Sequence, residues 1–370
     1  MNALLAYKWR FCNKPFTSTA ELGVRSASGT IAGVFPTMPQ DDPWDADASR
    51  EIARSGGKRS SAGFGDDSEP VSGAPAPRPE EPDEDADDEF EEIEEVPVRR
   101  QLSLAIAGFA GLLSVGLVLG ALTSAPDSRL PYAIVLFGVQ LLYLLAWVMA
   151  LNPPAAAVTA GIAVVVGLVA DYLAVTGEQA ALMPLVWVAA GGFVAALLGQ
   201  LFRASDRARL TDSWRTTLAI VAGVAAYAIP IVLTRQETGA QTMIVCAVAA
   251  GVALVIARTT DAIFPKPRIA AQVPRGVAGI VAGAMLGTLA GAALGSFLVL
   301  PFTPAKGAVI GLTAVVVAHL VDLAVNFGQA GRQLAGDAPT FWVARHMQGP
   351  LGAFALLSPA AYALSHWFLT

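Results

Sequence analysis

The side chains able to do chemistry are few and sit late in this sequence. His319, Asp322, Asn326, Gln329 and Gln333 recur at spacings of three, four, three and four, which places all five on one face of a helix. An ionisable residue inside an apolar segment is costly and points to a functional site. The competing expectation is a polar seam, with Asp322 bonded to His319 or to a neighbouring helix. On that reading Asp322→Asn is mild and Asp322→Leu costs about 1–3 kcal/mol through orphaned partners. One acid alone makes neither a metal site nor an acid–base pair. Upstream, Arg258, Asp261, Lys266, Arg268 and Arg275 lie in a proline-stiffened stretch that reads as a basic loop. Lys266, Arg268 and Arg275 are its phosphate-binding candidates, whether the phosphate belongs to a lipid or a nucleotide. The plainer expectation for that loop is topology determination and snorkelling to anionic headgroups. Asp171 is expected near an interface. No G-x-x-x-x-G-K-[ST], H-E-x-x-H or G-x-S-x-G motif occurs, and Cys12 and Cys246 are too few for a disulfide framework or thiolate metal cluster.

The elements that carry these residues are long apolar runs. Nine spans are expected, at about 103–122, 131–150, 155–176, 182–202, 216–234, 242–257, 276–301, 308–329 and 350–369. Each is near the ~20 residues that cross a ~30 Å hydrocarbon core, and runs of that length must be helices because lipid cannot satisfy an open strand. Turn chemistry separates them, as at Asn152-Pro153-Pro154 and Pro304-Ala305-Lys306-Gly307. The predicted fold is therefore an all-α polytopic membrane bundle. In the seventh span Gly279, Gly283, Gly287, Gly291 and Gly295 keep a strict spacing of four. Such a row lets another backbone approach closely, inside the protomer or in a homo-oligomer, and could alternatively cradle a lipid chain.

Composition divides the chain in two. Apolar residues make up 54% and charged residues 15%, against about 25% charged in soluble domains, which disfavours a soluble enzyme. Of 30 acidic residues, 21 precede Val98, whereas 15 of the 24 Lys and Arg follow it. Residues 74–95, APAPRPEEPDEDADDEFEEIEE, are proline-rich and then nearly pure acid, so residues 1–97 are expected to be a disordered cytoplasmic tail and 98–370 the transmembrane domain. Residues 1–37 lack acidic runs, and Met38 offers an alternative translation start. The tail reads as a solvated spacer that adds nothing to bundle stability, or as a dock for a basic protein partner through Phe90 and Ile93. With the tail in the cytoplasm, twelve cations fall in cytoplasmic segments and only Arg129, Arg235 and Lys306 on the other side. This predicts a cytoplasmic N-terminus and an external C-terminus in a bacterial cytoplasmic (inner) membrane, with the 203–215 loop as an interfacial connector.

The order of these features resembles the phosphatidate cytidylyltransferase (CDP-diacylglycerol synthase) family over about residues 242–370. KPRIAAQVPRGVAGIVAGAMLG, from Lys266, is similar to the family's basic "K-x-APxxSPKKTxEGxxGG" stretch, and HLVDLAVNFGQAGRQ, from His319, to its "GDLxESxxKR" helix. The resemblance implies a polytopic fold joining CTP to phosphatidic acid with Mg2+, with Asp261, Asp322 and Asp337 as candidate metal ligands. The departures are specific. Asp322 matches the first aspartate of the helix motif, but Val325-Asn326 replaces the acid-serine pair and Gln329-Ala330 the Lys-Arg pair. Before the last span the family's "PGHGGxxDRxDS" is replaced by a stretch in which Gly349 and Gly352 fall where its two aspartates belong. Two-metal chemistry needs several carboxylates, so the resemblance with these losses implies a non-catalytic lipid- or headgroup-binding relative, with Mg2+ bound only if the family chemistry survives. The alternatives are a divergent CTP-dependent cytidylyltransferase, and a membrane transporter or scaffold with an acidic recruiting tail. The expected partners are membrane lipids, anionic phospholipid headgroups among them, and no nucleic acid.

Overall fold

The computed structural model describes residues 96–124, 128–153, 155–177, 180–201, 210–336 and 340–369. The chain divides into two units, Met1–Asp83 and Glu84–Thr370, and every described residue belongs to the second. The expectation of a disordered tail thus falls almost wholly outside the described residues, as do Asp337 and most of the 203–215 connector. Val96 is an exception to the free-tail expectation. Its N–H donates to the Ala271 carbonyl at 3.1 Å, and its own carbonyl accepts from Arg268.

Among the described residues there are ten α-helices, one short hairpin and a closing π-helical turn at Leu364–Phe368. They are α1 (Arg100–Thr123), α2 (Leu130–Leu151), α3 (Ala156–Thr176), α4 (Met183–Leu201), α5 (Leu210–Ala226), α6 (Ile229–Leu233) and α7 (Gly239–Ile263). The strands β1 (Arg268–Ala270) and β2 (Val273–Gly276) follow, then α8 (Val277–Phe297), α9 (Pro304–Leu334) and α10 (Trp342–Ala363). Among the described residues eight helices have the length and apolarity to cross a bilayer, with α5 and α6 counted as one run from Ser213 to Leu233. The chain is an all-α, multi-span membrane protein. The ninth expected span, α10, is 22 residues long but falls short in apolarity because Arg345, His346 and Gln348 occupy its first two turns.

Local chemistry explains the breaks. Asn152 and Ala155 take left-handed backbone, φ 43° and 55°, and so reverse the chain around Pro153 between α2 and α3. Pro230, which has no N–H to give, follows the interruption between α5 and α6. At the start of α9 the Thr303 hydroxyl accepts from the Lys306 N–H at 3.2 Å, with Pro304 at the first helical position. Two spans are longer than their apolar runs suggest. The sixth, expected over 242–257, runs from Gly239 to Ile263, and the eighth, expected over 308–329, runs from Pro304 to Leu334.

At the centre lies α7, packed against α1, α8, α9 and α10, with Val245, Cys246, Ala249, Ala250 and Ala253 fully buried. The glycine row of α8 is used up by its neighbours in the same chain. A Cβ on Gly283 would meet the Ala253 carbonyl at 2.5 Å, and one on Gly291 would meet the Gly307 carbonyl at 2.6 Å and Gly311 Cα at 2.7 Å. The helix is therefore clamped between α7 and α9 with backbones nearly touching. The row therefore packs inside the protomer, the first of the readings its spacing suggested.

Candidate functional site

The polar centre of the bundle is a chain of four buried charges contributed by α7, β2 and α9. Asp322, fully buried on α9, receives Arg258 Nη2 on Oδ1 at 2.5 Å and faces Arg275 Nη2 from Oδ2 at 3.1 Å. The second nitrogen of Arg275, Nη1, reaches Asp261 Oδ2 at 2.6 Å, and Asp261 Oδ1 accepts the Gly276 N–H at 3.0 Å. Two acids and two arginines alternate, so the network is formally neutral. Neutrality is what allows it to persist away from water, because a lone buried charge is far costlier than a pair.

The sequence around each residue explains its placement. Arg258 and Asp261 are three apart near the C-terminus of α7 and so share a face. Beyond them the hairpin folds back, Arg268 opposite Gly276 and Ala270 opposite Val273, and returns Arg275 to Asp261 immediately before α8 begins. Glycines supply the room. Side chains at Gly276 and Gly279 would collide with the Asp261 carboxylate, and one at Gly349 with the carboxylate of Asp322. Ser103 Oγ donates to the Arg258 carbonyl at 2.6 Å, tying the first turn of α1 to the same layer.

This geometry redistributes the expected site residues. In the stripe on α9, Asp322 bonds neither His319 nor Asn326 through its carboxylate. Asn326 Nδ2 donates to the backbone carbonyl of Asp322 at 2.6 Å, and Gln329 Nε2 donates to the Arg345 carbonyl at 2.7 Å. Gln333 is exposed. His319 is 5% exposed, and neither of its ring nitrogens has a hydrogen-bond partner. The stripe is thus a seam whose members face different neighbours. Lys266 is exposed and Arg268 partly exposed, but Arg275 is fully buried and paired. It leaves the phosphate-binding set because its guanidinium already answers two carboxylates.

The implied metal fits this donor set poorly. Asp261 and Asp322 are each occupied by arginine, and Asp337 lies outside the described residues. Among the described residues no three His, Cys, Asp or Glu side chains converge on one point. A divalent ion at Asp322 would have to displace Arg258 and Arg275, leaving two guanidiniums buried beside it.

Several polar contacts have no counterpart in the sequence analysis. Asp171 is buried against its neighbouring helices and accepts from Gln140 Nε2 at 2.7 Å. Gln200 joins hydroxyls from two neighbouring helices, donating to Thr159 of α3 and Thr217 of α5 at 3.2 and 2.8 Å and accepting from Ser213 of α5 at 2.7 Å. Tyr227 donates to the Leu351 carbonyl at 2.6 Å. The readable signals were the isolated amide of Gln140 at mid-span and the Arg258–Asp261 spacing. Compared with known proteins, the chain matches no family model, no curated protein and no solved structure.

Proposed function

We propose that this protein is a non-catalytic relative of the phosphatidate cytidylyltransferases that binds anionic phospholipid headgroups at its arginine-rich end. The observation that supports this reading is the linear Arg258–Asp322–Arg275–Asp261 network, in which guanidiniums lie against the carboxylates a metal would need. Gly349, which falls where the family carries an acid, abuts Asp322 and adds no ligand. In this reading the arginines replace the structural role of divalent cations and surrender their chemistry.

Headgroup binding falls to cations around the same layer. Arg99 and Arg100 open α1, Lys266 and Arg268 lie on the hairpin side, and Arg332 and Arg345 flank the α9–α10 turn. Each cation near an anionic surface is worth about 1 kcal/mol of attraction. The reading places this end in the cytoplasm, following the cation asymmetry of the loops.

The test is purified full-length protein in lipid nanodiscs with labelled CTP, phosphatidic acid and magnesium. No CDP-diacylglycerol is expected. Magnesium-dependent product that disappears in Asp322→Asn would overturn the reading and make the chain a divergent enzyme.

A further inference from the structure

An apolar crevice of about 350 Å³ opens on the side of the bundle between α4 and α10. Both helices pack on α5, yet they do not pack along each other, so a wall is missing between them. The floor is α5, recessed by Ala219, Ala222 and Gly223, and the inner end is the Tyr143–Trp147 stack of α2, with ring centroids 5.1 Å apart. Gly352 and Ala355 of α10 keep the far wall low. A Cβ on Gly352 would stand 3.1 Å from both the Trp147 ring and Val321, so this end is closed.

We infer that the crevice is a binding site for one hydrocarbon chain of a bilayer phospholipid. Its position argues for that occupant. Three of its four main walls, α2, α4 and α5, belong to spans long and apolar enough to cross a bilayer. The lining is almost wholly apolar: Tyr143 Oη is already bonded to the Ala219 carbonyl, and Trp147 Nε1 alone is too few partners to hold an ordered water, while an empty space would forfeit dispersion contacts along every wall. Hydrocarbon is what the surroundings supply. The α5 part of the floor, from Ala219 to Ala226, extends about 10 Å at ~1.5 Å per residue, which lies within the ~15 Å that one leaflet contributes to a ~30 Å hydrocarbon core. A second crevice of about 330 Å³ lies between α1 and α7. Those two helices pack directly, so it is only a surface groove where annular lipid can rest, and it serves as the comparison.

The experiment uses full-length protein in nanodiscs containing a phospholipid with a mid-chain diazirine, without CTP or magnesium, and maps adducts by peptide mass spectrometry. Adducts are expected on residues 183–189 and 352–359 well above those on α1. Ala189→Phe, which fills the crevice from the half-buried face of α4, should lower them about tenfold, a loss of about 1.4 kcal/mol, while adducts on α1 stay constant. Ala222→Leu, filling from the floor, should do the same, and Ala189→Ser should leave labelling intact. Adducts spread evenly over all lipid-facing helices and indifferent to Ala189→Phe and Ala222→Leu would overturn the inference. So would covalent dimers formed on illumination when a diazirine amino acid replaces Val186 on the crevice wall, because a second copy would then be the missing wall. Headgroup specificity and turnover do not enter this readout, so it stands or falls apart from the cytidylyltransferase reading.

Discussion

Asp322 lies between Arg258 and Arg275 at 2.5 and 3.1 Å, and this changes what its substitution should do. With His319 or Asn326 as partner, Asp322→Asn would be nearly isosteric and mild. Between two guanidiniums it removes a charge and leaves Arg258 and Arg275 sharing Asp261 alone. The expected cost moves toward about 3–5 kcal/mol, the range for breaking a buried pair from one side. Arg258→Gln should cost a similar amount by exposing Asp322 to a single arginine. The double variant restores neutrality, so its cost should fall short of the sum by at least about 1 kcal/mol. Unfolding of the purified protein by graded denaturing detergent measures all three, and strict additivity would show that the four charges do not act as a unit. The acids stood out in the sequence because carboxylates are rare after residue 98. Their partners did not, because Arg258 and Arg275 look like any loop cation until the helix is known to continue through the first and the hairpin to fold back with the second.

At the scale of the elements, the close approach of α8 to α9 depends on hydrogen atoms where side chains would be. Gly291→Ala places a methyl group within 2.7 Å of two backbone atoms and should destabilise by about 1–3 kcal/mol through overpacking. Gly138→Ala in α2 meets nothing within 4 Å and should be neutral or gain about 0.5–1 kcal/mol from the stiffer helix. Equal effects at the two positions would remove the clamp from the account. The helices themselves were readable from apolar length, and the glycine row from its period. What the sequence concealed was where polar residues extend a helix: α9 adds a turn at each end of its apolar run, and α7 carries Arg258 and Asp261 inside its final turns. Apolarity sets only a lower bound on a span whose charges are neutralised by neighbours. The partner of Asp171 was hidden for a similar reason, since Gln140 lies 31 residues upstream on another helix.

For the molecule as a whole, the cation asymmetry predicts that residue 268 faces the cytoplasm. A single cysteine there, in a background without Cys12 and Cys246, should resist an impermeant thiol reagent in intact cells and react after permeabilisation. Labelling in intact cells would invert the orientation and with it the side on which headgroups are met. The alternating charges also impose an order on biosynthesis. Asp261 and Arg275 are 14 residues apart and can join as soon as the hairpin leaves the ribosome, but Arg258 and Asp322 are 64 apart. At about 5–20 residues per second, roughly 3–13 s separate their synthesis. During that interval the three members of the network already made, Arg258, Asp261 and Arg275, carry one net positive charge. Synthesis of α9 brings Asp322 and with it neutrality, so the charge balance of the central helix is completed only by the last long apolar helix to be made.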